Sequence, residues 1–359
     1  MQIAEPEAIA SHAADFQPRR YLRNGHLQTI AGNYLARVDG LPASEAQLVE
    51  VSPATANQIA SQVLCHCHWQ PEEVRVTRPT AIIVHGLEGS SDSQYVVGNS
   101  NKLWRAGCNV IRMNMRNCGG TEALSPTLYH SGFSNDVLVV MNFFVAQYGL
   151  RSMSLIGYSM GGNLVLKLAG ELGTAAPAAL HSVIGVSPAV DLQESADALH
   201  LPQNRLYELK FLRNLQRRFR RKAVLFPRAY DRNRAVGIRS LREFDDRITA
   251  LYSGFTGADD YYHRAAAARV LDRIAVPALI LHALDDPFVR LTAETREKIR
   301  ANSHITLIES NHGGHCAFLA QPDSASGYDG YWAEHTLLRF LLAHAEQDQS
   351  SNLPVEASS

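Results

Sequence analysis

A chain of 359 residues and 39.5 kDa, 46% hydrophobic and 19% charged, holds enough apolar material for a substantial core, which excludes a wholly disordered, collagenous or coiled-coil protein. Thirty-four basic residues against 35 acidic ones leave a net charge of −1, so the molecule as a whole carries no field that would recruit nucleic acid or an acidic membrane. Five cysteines form an odd, sparse set, unlike a disulfide framework and suited to a reducing compartment.

Residues 1–15 are polar and contain no apolar run of signal-peptide length, and no stretch reaches the roughly 18 apolar residues of a membrane span. The reading is a cytoplasmic protein with no transmembrane segment that begins in a flexible tail. Residues 47–51 and 62–69 read as antiparallel leading strands. The second contains Cys65-His66-Cys67-His68, but alternate side chains of a strand face opposite ways, so these four cannot close one tetrahedral metal site. Val63, Cys65, Cys67 and Trp69 are expected to pack inward instead.

From Thr80 onward short β-branched runs alternate with helix-length segments, the pattern of βαβ units around a mostly parallel sheet. Strands are expected at 81–84, 110–115, 153–156, 183–186, 278–281 and 305–308, and helices at 95–106, 134–148, 161–172, 291–301 and 331–345. The rhythm breaks between Asp191 and Val276, where about 85 residues separate strands that adjoining units would join in about 20 to 30. That surplus reads as an inserted helical cap. The organisation is therefore a tail (1–15), a first part of an α/β core (16–190), a cap or lid (191–264), a second part of the core (265–345) and a second flexible tail (346–359).

The strand at 81–84 opens into His85-Gly86-Leu87-Glu88-Gly89-Ser90-Ser91, which has neither glycine spacing of a phosphate-binding loop. Arg116-Asn117-Cys118-Gly119-Gly120-Thr121 reads as a turn on the pocket wall, with Cys118 disfavoured as a nucleophile. Gly157-Tyr158-Ser159-Met160-Gly161 fits G-x-S-x-G with a strand running in and a helix running out, the setting of a nucleophile elbow. Its glycines let strand and helix close around a strained serine, and the helix N-terminus favours negative charge there.

A serine hydroxyl needs a histidine to take its proton and a carboxylate to orient that histidine. Asp285 and Asp286 follow the strand at 278–281, with Asp286, directly before Pro287, preferred. His312 and His315 follow the strand at 305–308 on either side of Gly313-Gly314, with His315 preferred. The backbone N–H groups of Met160 and Leu87 are the expected oxyanion donors. This chemistry requires no metal or organic cofactor, and activity is expected to fall on the acid side, near or below neutral, as His315 protonates.

Within the insertion, Arg205 to Arg242 carries 13 basic residues and only two acids. Leu206, Leu209, Leu212, Leu215 and Phe219 recur at near-helical spacing opposite Arg213, Arg217, Arg220 and Arg221. The favoured reading is the solvated outer face of a lid helix. Its rival is transient attraction to anionic lipid headgroups or to the phosphates of an acyl carrier, with nucleic acid disfavoured.

Asn24 to Ile30, His85 to Ser91, Arg116 to Thr121, Gly157 to Gly162, Asp285 to Val289 and His312 to His315 together span roughly residues 16 to 340. In these pieces the chain resembles the YheT-like branch of the α/β-hydrolases, serine esterases that include bacterial hydrolases, eukaryotic phospholipase-type members and fungal alcohol acyltransferases. The resemblance implies an α/β-hydrolase fold with a triad of Ser159, Asp286 and His315. It further implies cleavage of a small-molecule carboxylic ester, a short- to medium-chain acyl ester, acylglycerol or phospholipid, through an acyl-serine. An alcohol O-acyltransferase using the same acyl-enzyme is the alternative, and a non-catalytic binding protein is the second. Asn24 to Ile30 has no catalytic logic of its own and is expected to pack against the lid or the rim of the site, with His26 a structural residue.

Overall fold

A computed structural model of the chain describes residues 16–351 apart from residue 57, with side chains described to residue 345. The expected tail at 1–15 lies outside the described residues, as does 352–359. Eight strands form one sheet: β1 (Glu45–Ser52), β2 (Ser61–His68), β3 (Thr80–Val84), β4 (Asn109–Met113), β5 (Met153–Tyr158), β6 (Leu180–Val186), β7 (Ala278–Ala283) and β8 (Ile305–Ser310). Their order is β1-β2-β4-β3-β5-β6-β7-β8. β1 pairs with β2 and β2 with β4 antiparallel, and every other pairing is parallel.

The helices longer than one turn are α1 (Gly25–Tyr34), α2 (Gln94–Arg105), α3 (Ser134–Tyr148), α4 (Met160–Leu172), α5 (Leu192–His200), α6 (Arg205–Leu225), α7 (Ala258–Ala265), α8 (Ala293–Ala301) and α9 (Trp332–Ser351). β3, β4, β5 and β7 are buried at every position, because helices cover both faces of the sheet. Strand alternation sends Ile82, Val84, Leu155, Val183 and Ile280 against α3 and α4. It sends Ala81, Ile83, Ile156, Ile184 and Leu281 against α2 and α9. The last helix continues to Ser351, so residues 346–351, expected as tail, extend it.

In β2, Cys65 and Cys67 face the core, and burial pushes their thiols far above the ordinary range. His66 and His68 face the other way, toward the Ser44 hydroxyl (3.2 Å) and the Pro42 carbonyl (3.0 Å). Among the described residues no cluster of His, Cys, Asp and Glu has metal-binding geometry, and no helix is long and apolar enough to cross a membrane.

Between β6 and β7 the chain forms α5, α6 and α7, with the short helix Leu241–Phe244 running into a π-helical turn, Asp245–Ala250. These pack into an apolar cluster of their own, including Leu199, Leu212, Phe219, Phe244 and Ile248, which joins Phe288 and Val289 after β7. The expected stripe on α6 is only partly inward: Leu212 and Phe219 are buried, whereas Leu206 is 81% exposed. The basic residues also divide. Arg213, Arg217 and Arg220 are exposed and Arg221 reaches Glu122 at 3.3 Å, but Arg218 and Lys222, one turn apart, point inward. Lys222 is fully buried and donates to the carbonyls of Glu122 (2.7 Å) and Ser125; burial, only partly offset by Glu122, brings its amine down to about 7.

Candidate active site

Ser159 joins β5 to α4 with φ +52° and ψ −115°, a strained backbone for a residue with a side chain. Its N–H is held by the Val186 carbonyl at 2.9 Å, and its own carbonyl accepts from Asn163 and Ala189. A Cβ on Gly157 would lie 2.2 Å from the Gly161 carbonyl oxygen, and one on Gly161 would lie 2.3 Å from that of Val84. Only glycine permits strand and helix to approach so closely, and that approach lifts the serine to the end of the sheet. Met160 is then the first residue of a 13-residue helix, where backbone N–H groups lack helical partners.

β7 delivers the carboxylate. Asp286 is 1% exposed; its Oδ1 accepts from the Phe288 and Val289 N–H groups at 3.0 and 2.9 Å, and its Oδ2 accepts from His315 Nδ1 at 2.8 Å. Burial works against the Asp286 charge, but the His315 imidazole and the backbone donors outweigh it and hold the carboxyl below its ordinary value. For His315, burial disfavours the cation, yet the adjacent Asp286 carboxylate prevails and holds the imidazole above the ordinary histidine value.

Three elements hang the loop that carries His315. The His315 N–H donates to Thr29 Oγ1 (2.8 Å), the Gly314 N–H to Asp285 Oδ1 (2.8 Å) and the Cys316 N–H to Ser187 Oγ (3.0 Å). Asp285 thus holds the loop, and its other oxygen is 3.5 Å from His312 Nδ1, too far for a strong hydrogen bond. The two acids and two histidines separate into a buried pair, Asp286 with His315, and an outer pair, Asp285 with His312. Asn24 to Ile30 forms the start of α1: Asn24 caps it through bonds from the His26 and Leu27 N–H groups. A Cβ on Gly25 would lie 1.9 Å from the Asp285 carbonyl oxygen, so α1 presses directly on the acid loop. His26 sits at the rim, its Nδ1 3.3 Å from the Tyr207 hydroxyl.

Leu87 follows β3. Beside it His85 is fully buried, takes the Met115 N–H at Nε2 (3.2 Å) and so carries its proton on Nδ1, which donates to the Gly86 carbonyl (2.8 Å). Burial brings the imidazole down to about 4, so it is neutral. The Gly86 carbonyl and the Leu87 N–H belong to one trans peptide and point opposite ways. By fixing the carbonyl, His85 aims the Leu87 N–H. Among the described residues neither that N–H nor the Met160 N–H has an acceptor. Next in the loop, Glu88 accepts from the Tyr129 hydroxyl (2.5 Å) and from Arg218 Nε (3.0 Å), while Arg218 also donates to the Asn117 carbonyl. α6 is thereby tied to the loop that bears Leu87.

Ser159 borders two spaces. One is a cavity of about 130 Å³ beneath the helices between β6 and β7, lined by Leu87, Met160, Leu192, Leu199 and Phe211 among others. The other is a groove of about 390 Å³ between α1 and α6, lined by Ile30, Tyr34, Tyr207, Lys210, His315 and Cys316 among others. His315 borders the groove alone and Met160 the cavity alone. Cys118 lies in neither; burial pushes its thiol up to about 12, which leaves it inert. Arg116 borders neither space and pairs with Asp136, at 2.6 Å through each of two nitrogens.

Sequence reasoning missed His85, Thr29, Glu88 and Arg218. His85 stands beside the Leu87 loop in the sequence, but its role depends on an N–H donated from residue 115. Thr29 acts on a loop 286 residues away, for which local pattern carries no signal.

The family described as "alpha/beta hydrolase fold" matches residues 79–322. A protein of Escherichia coli (strain K12) named "Putative esterase YheT" is 30% identical over 314 residues, 86% of this chain and 88% of that relative. Phospholipase ABHD3 of Mus musculus is 30% identical over 244 residues, covering 68% of this chain and 59% of the relative. Monoacylglycerol lipase of Saccharomyces cerevisiae is 25% identical over 288 residues, 77% and 62% of the two chains.

Proposed function

This chain belongs to the alpha/beta hydrolase fold family, in its YheT-like branch, as a carboxylic ester hydrolase, and we propose on that footing that it works through an acyl-serine on Ser159. The observation that carries the reading is the 2.8 Å Asp286–His315 bond on the groove that Ser159 also borders. His315 takes the Ser159 proton at Nε2 while Asp286 accepts the Nδ1–H, fixing the tautomer and stabilising the imidazolium that forms. Ser159 Oγ attacks the ester carbon, and the developing oxyanion accepts hydrogen bonds from the Leu87 and Met160 N–H groups, each such donor contributing on the order of 10² to 10³ in rate. His315 then protonates the leaving alcohol oxygen. Water, deprotonated by His315, releases the acid and restores the serine.

The two spaces divide the substrate. The histidine must reach the leaving oxygen, so the alcohol lies in the groove with His315. The acyl group then enters the cavity on the side of Met160, and residues 191–264 act as its cap. An alcohol O-acyltransferase would share the first half of this sequence and differ in the acceptor of the acyl group, an alcohol in place of water. Acylglycerols or phospholipids, the substrates in the names of two relatives, fit a groove rimmed by exposed Leu206 and Tyr34 and by Lys210, with Arg213, Arg217 and Arg220 positioned for transient contact with anionic lipid. The test is a panel of p-nitrophenyl esters of graded chain length beside monoacylglycerols and phospholipids, with and without added alcohol. Release of free acid supports the reading. Acyl transfer to the alcohol as the main product, or no turnover of any ester, overturns it.

A further inference from the structure

The cavity on the Met160 side is only partly apolar. Beside Leu192 and Leu199, its lining includes Asp245, Thr249, Tyr261 and Tyr262. Asp245 opens the π-helical turn Asp245–Ala250, a geometry that is rare and often marks a functional position. Its Oδ1 accepts from the Thr249 hydroxyl (2.7 Å) and its Oδ2 from the Tyr262 hydroxyl (2.8 Å). An ionised carboxylate offers about four acceptor positions, so roughly half of them are unused. Among the described residues no cation pairs with Asp245. The basic groups close to it in sequence are engaged elsewhere, Arg242 with Asp197 (3.1 Å) and Asp259, and Arg247 with Glu243 (3.1 Å).

A cavity shaped for a plain alkyl chain gains nothing from such a group. A half-buried carboxylate without a counter-ion is unfavourable unless hydrogen bonds compensate it, and burial pushes this carboxyl up to about 6. The missing compensation is a donor supplied by whatever fills the cavity. We propose that this cavity takes an acyl group bearing a hydrogen-bond donor, a hydroxyl or an ammonium, which Asp245 accepts. The proposal rests on Ser159 being the nucleophile and on the acyl group occupying this cavity. It makes Asp245 a specificity-determining residue and the substrate class an ester of a hydroxy- or amino-substituted acid.

The experiment compares kcat/KM for p-nitrophenyl hexanoate and octanoate with their ω-hydroxy, ω-amino and ω-trimethylammonium counterparts, in the wild type and in Asp245→Asn and Asp245→Leu. A hydrogen bond to a charged group discriminates substrates about tenfold or more, so at the matching chain length the hydroxy and amino esters should exceed the alkyl ester by that factor. The trimethylammonium ester, which has charge but no donor, should not. Asp245→Leu should abolish the preference. Asp245→Asn should cut the amino ester more than the hydroxy ester, because the amide still accepts but carries no charge. Where the Leu variant fails to unfold cooperatively, the Asn variant, which is isosteric and keeps one of the two acceptor oxygens, carries the test. A wild type that prefers alkyl esters, a trimethylammonium ester as good as the amino ester, or an amino-to-hydroxy ratio unchanged by Asp245→Asn overturns the proposal. Turnover of plain hexanoate together with fluorophosphonate labelling of Ser159 sustains the underlying reading whatever the ratio, whereas loss of both defeats that reading and this inference with it.

Discussion

Asp286→Asn removes the relay's charge while leaving its shape. Asp286 makes three hydrogen bonds, two from backbone N–H groups to Oδ1 and one from His315 Nδ1 to Oδ2. The asparagine oxygen can keep the backbone pair, but its NH₂ then meets His315 Nδ1, donor against donor. The imidazole must move its proton to Nε2, and a protonated Nε2 cannot take the Ser159 proton. In a Ser-His-Asp relay this change costs on the order of 10⁴ in kcat, which corresponds to about 5 kcal/mol of transition-state stabilisation. The ground-state fold loses about one charge-assisted bond, roughly 1.5 to 3 kcal/mol, and should survive. Asp285→Asn is the comparison: Asp285 holds Gly314 at 2.8 Å but does not touch His315, so the loss should stay within about tenfold. The assay is kcat on a soluble p-nitrophenyl ester for variants whose thermal unfolding is cooperative. Asp286→Asn within about tenfold of the wild type, or Asp285→Asn the slower of the two, would refute the reasoning.

Because Asp286 holds His315 above the ordinary imidazole value of about 6.5, and the working base is neutral, kcat/KM should fall as pH drops through that raised value. An acid limb at or below about 6 would contradict this. The pair also stabilises the fold. The depressed Asp286 contributes fully above its unfolded value of about 3.9 and His315 fully below its unfolded value of about 6.5, so the destabilisation by Asp286→Asn, read from urea unfolding, should be largest between those limits. Gly161→Ala places a Cβ 2.3 Å from the Val84 carbonyl oxygen and 2.5 Å from that of His85; it should cost about 1 to 3 kcal/mol or more, and an unchanged Tm would contradict the close approach. Joint replacement of Arg213, Arg217 and Arg220 by Gln should weaken binding to anionic vesicles by about 1 kcal/mol per residue. In the wild type, salt should suppress hydrolysis from such vesicles far more than hydrolysis of a soluble ester as the Debye length falls from about 10 Å at 0.1 M to 3 Å at 1 M. Equal salt dependence would leave the arginines as a solvated face.

The parallel sheet was legible because its strands are short apolar runs separated by amphipathic helices, a pattern that survives without tertiary knowledge. The elbow was legible for a related reason: its glycines are demanded by contacts within a few residues of Ser159. What escaped was whatever depends on two distant segments meeting. Arg218 reads as one more charge in a basic run, yet it points inward because Glu88, 130 residues earlier, lies beneath α6. The segment around Asn24 had no local chemistry to announce it, since its purpose is to grip the Asp285 and His315 loops. Leu206, counted in the apolar stripe, is exposed because α6 begins at the groove rather than over the core.

The most direct test of the account is where the acyl group becomes attached. Rapid acid quench of the enzyme turning over a p-nitrophenyl ester, followed by peptide mass spectrometry, should find the acyl mass on the peptide containing Ser159. Ser159→Ala should show no adduct and lose a factor on the order of 10⁴ to 10⁶ in kcat with its fold intact. An adduct on Cys316 or any other residue, or a Ser159→Ala variant active within about tenfold of the wild type, would contradict the assignment of Ser159 as the nucleophile.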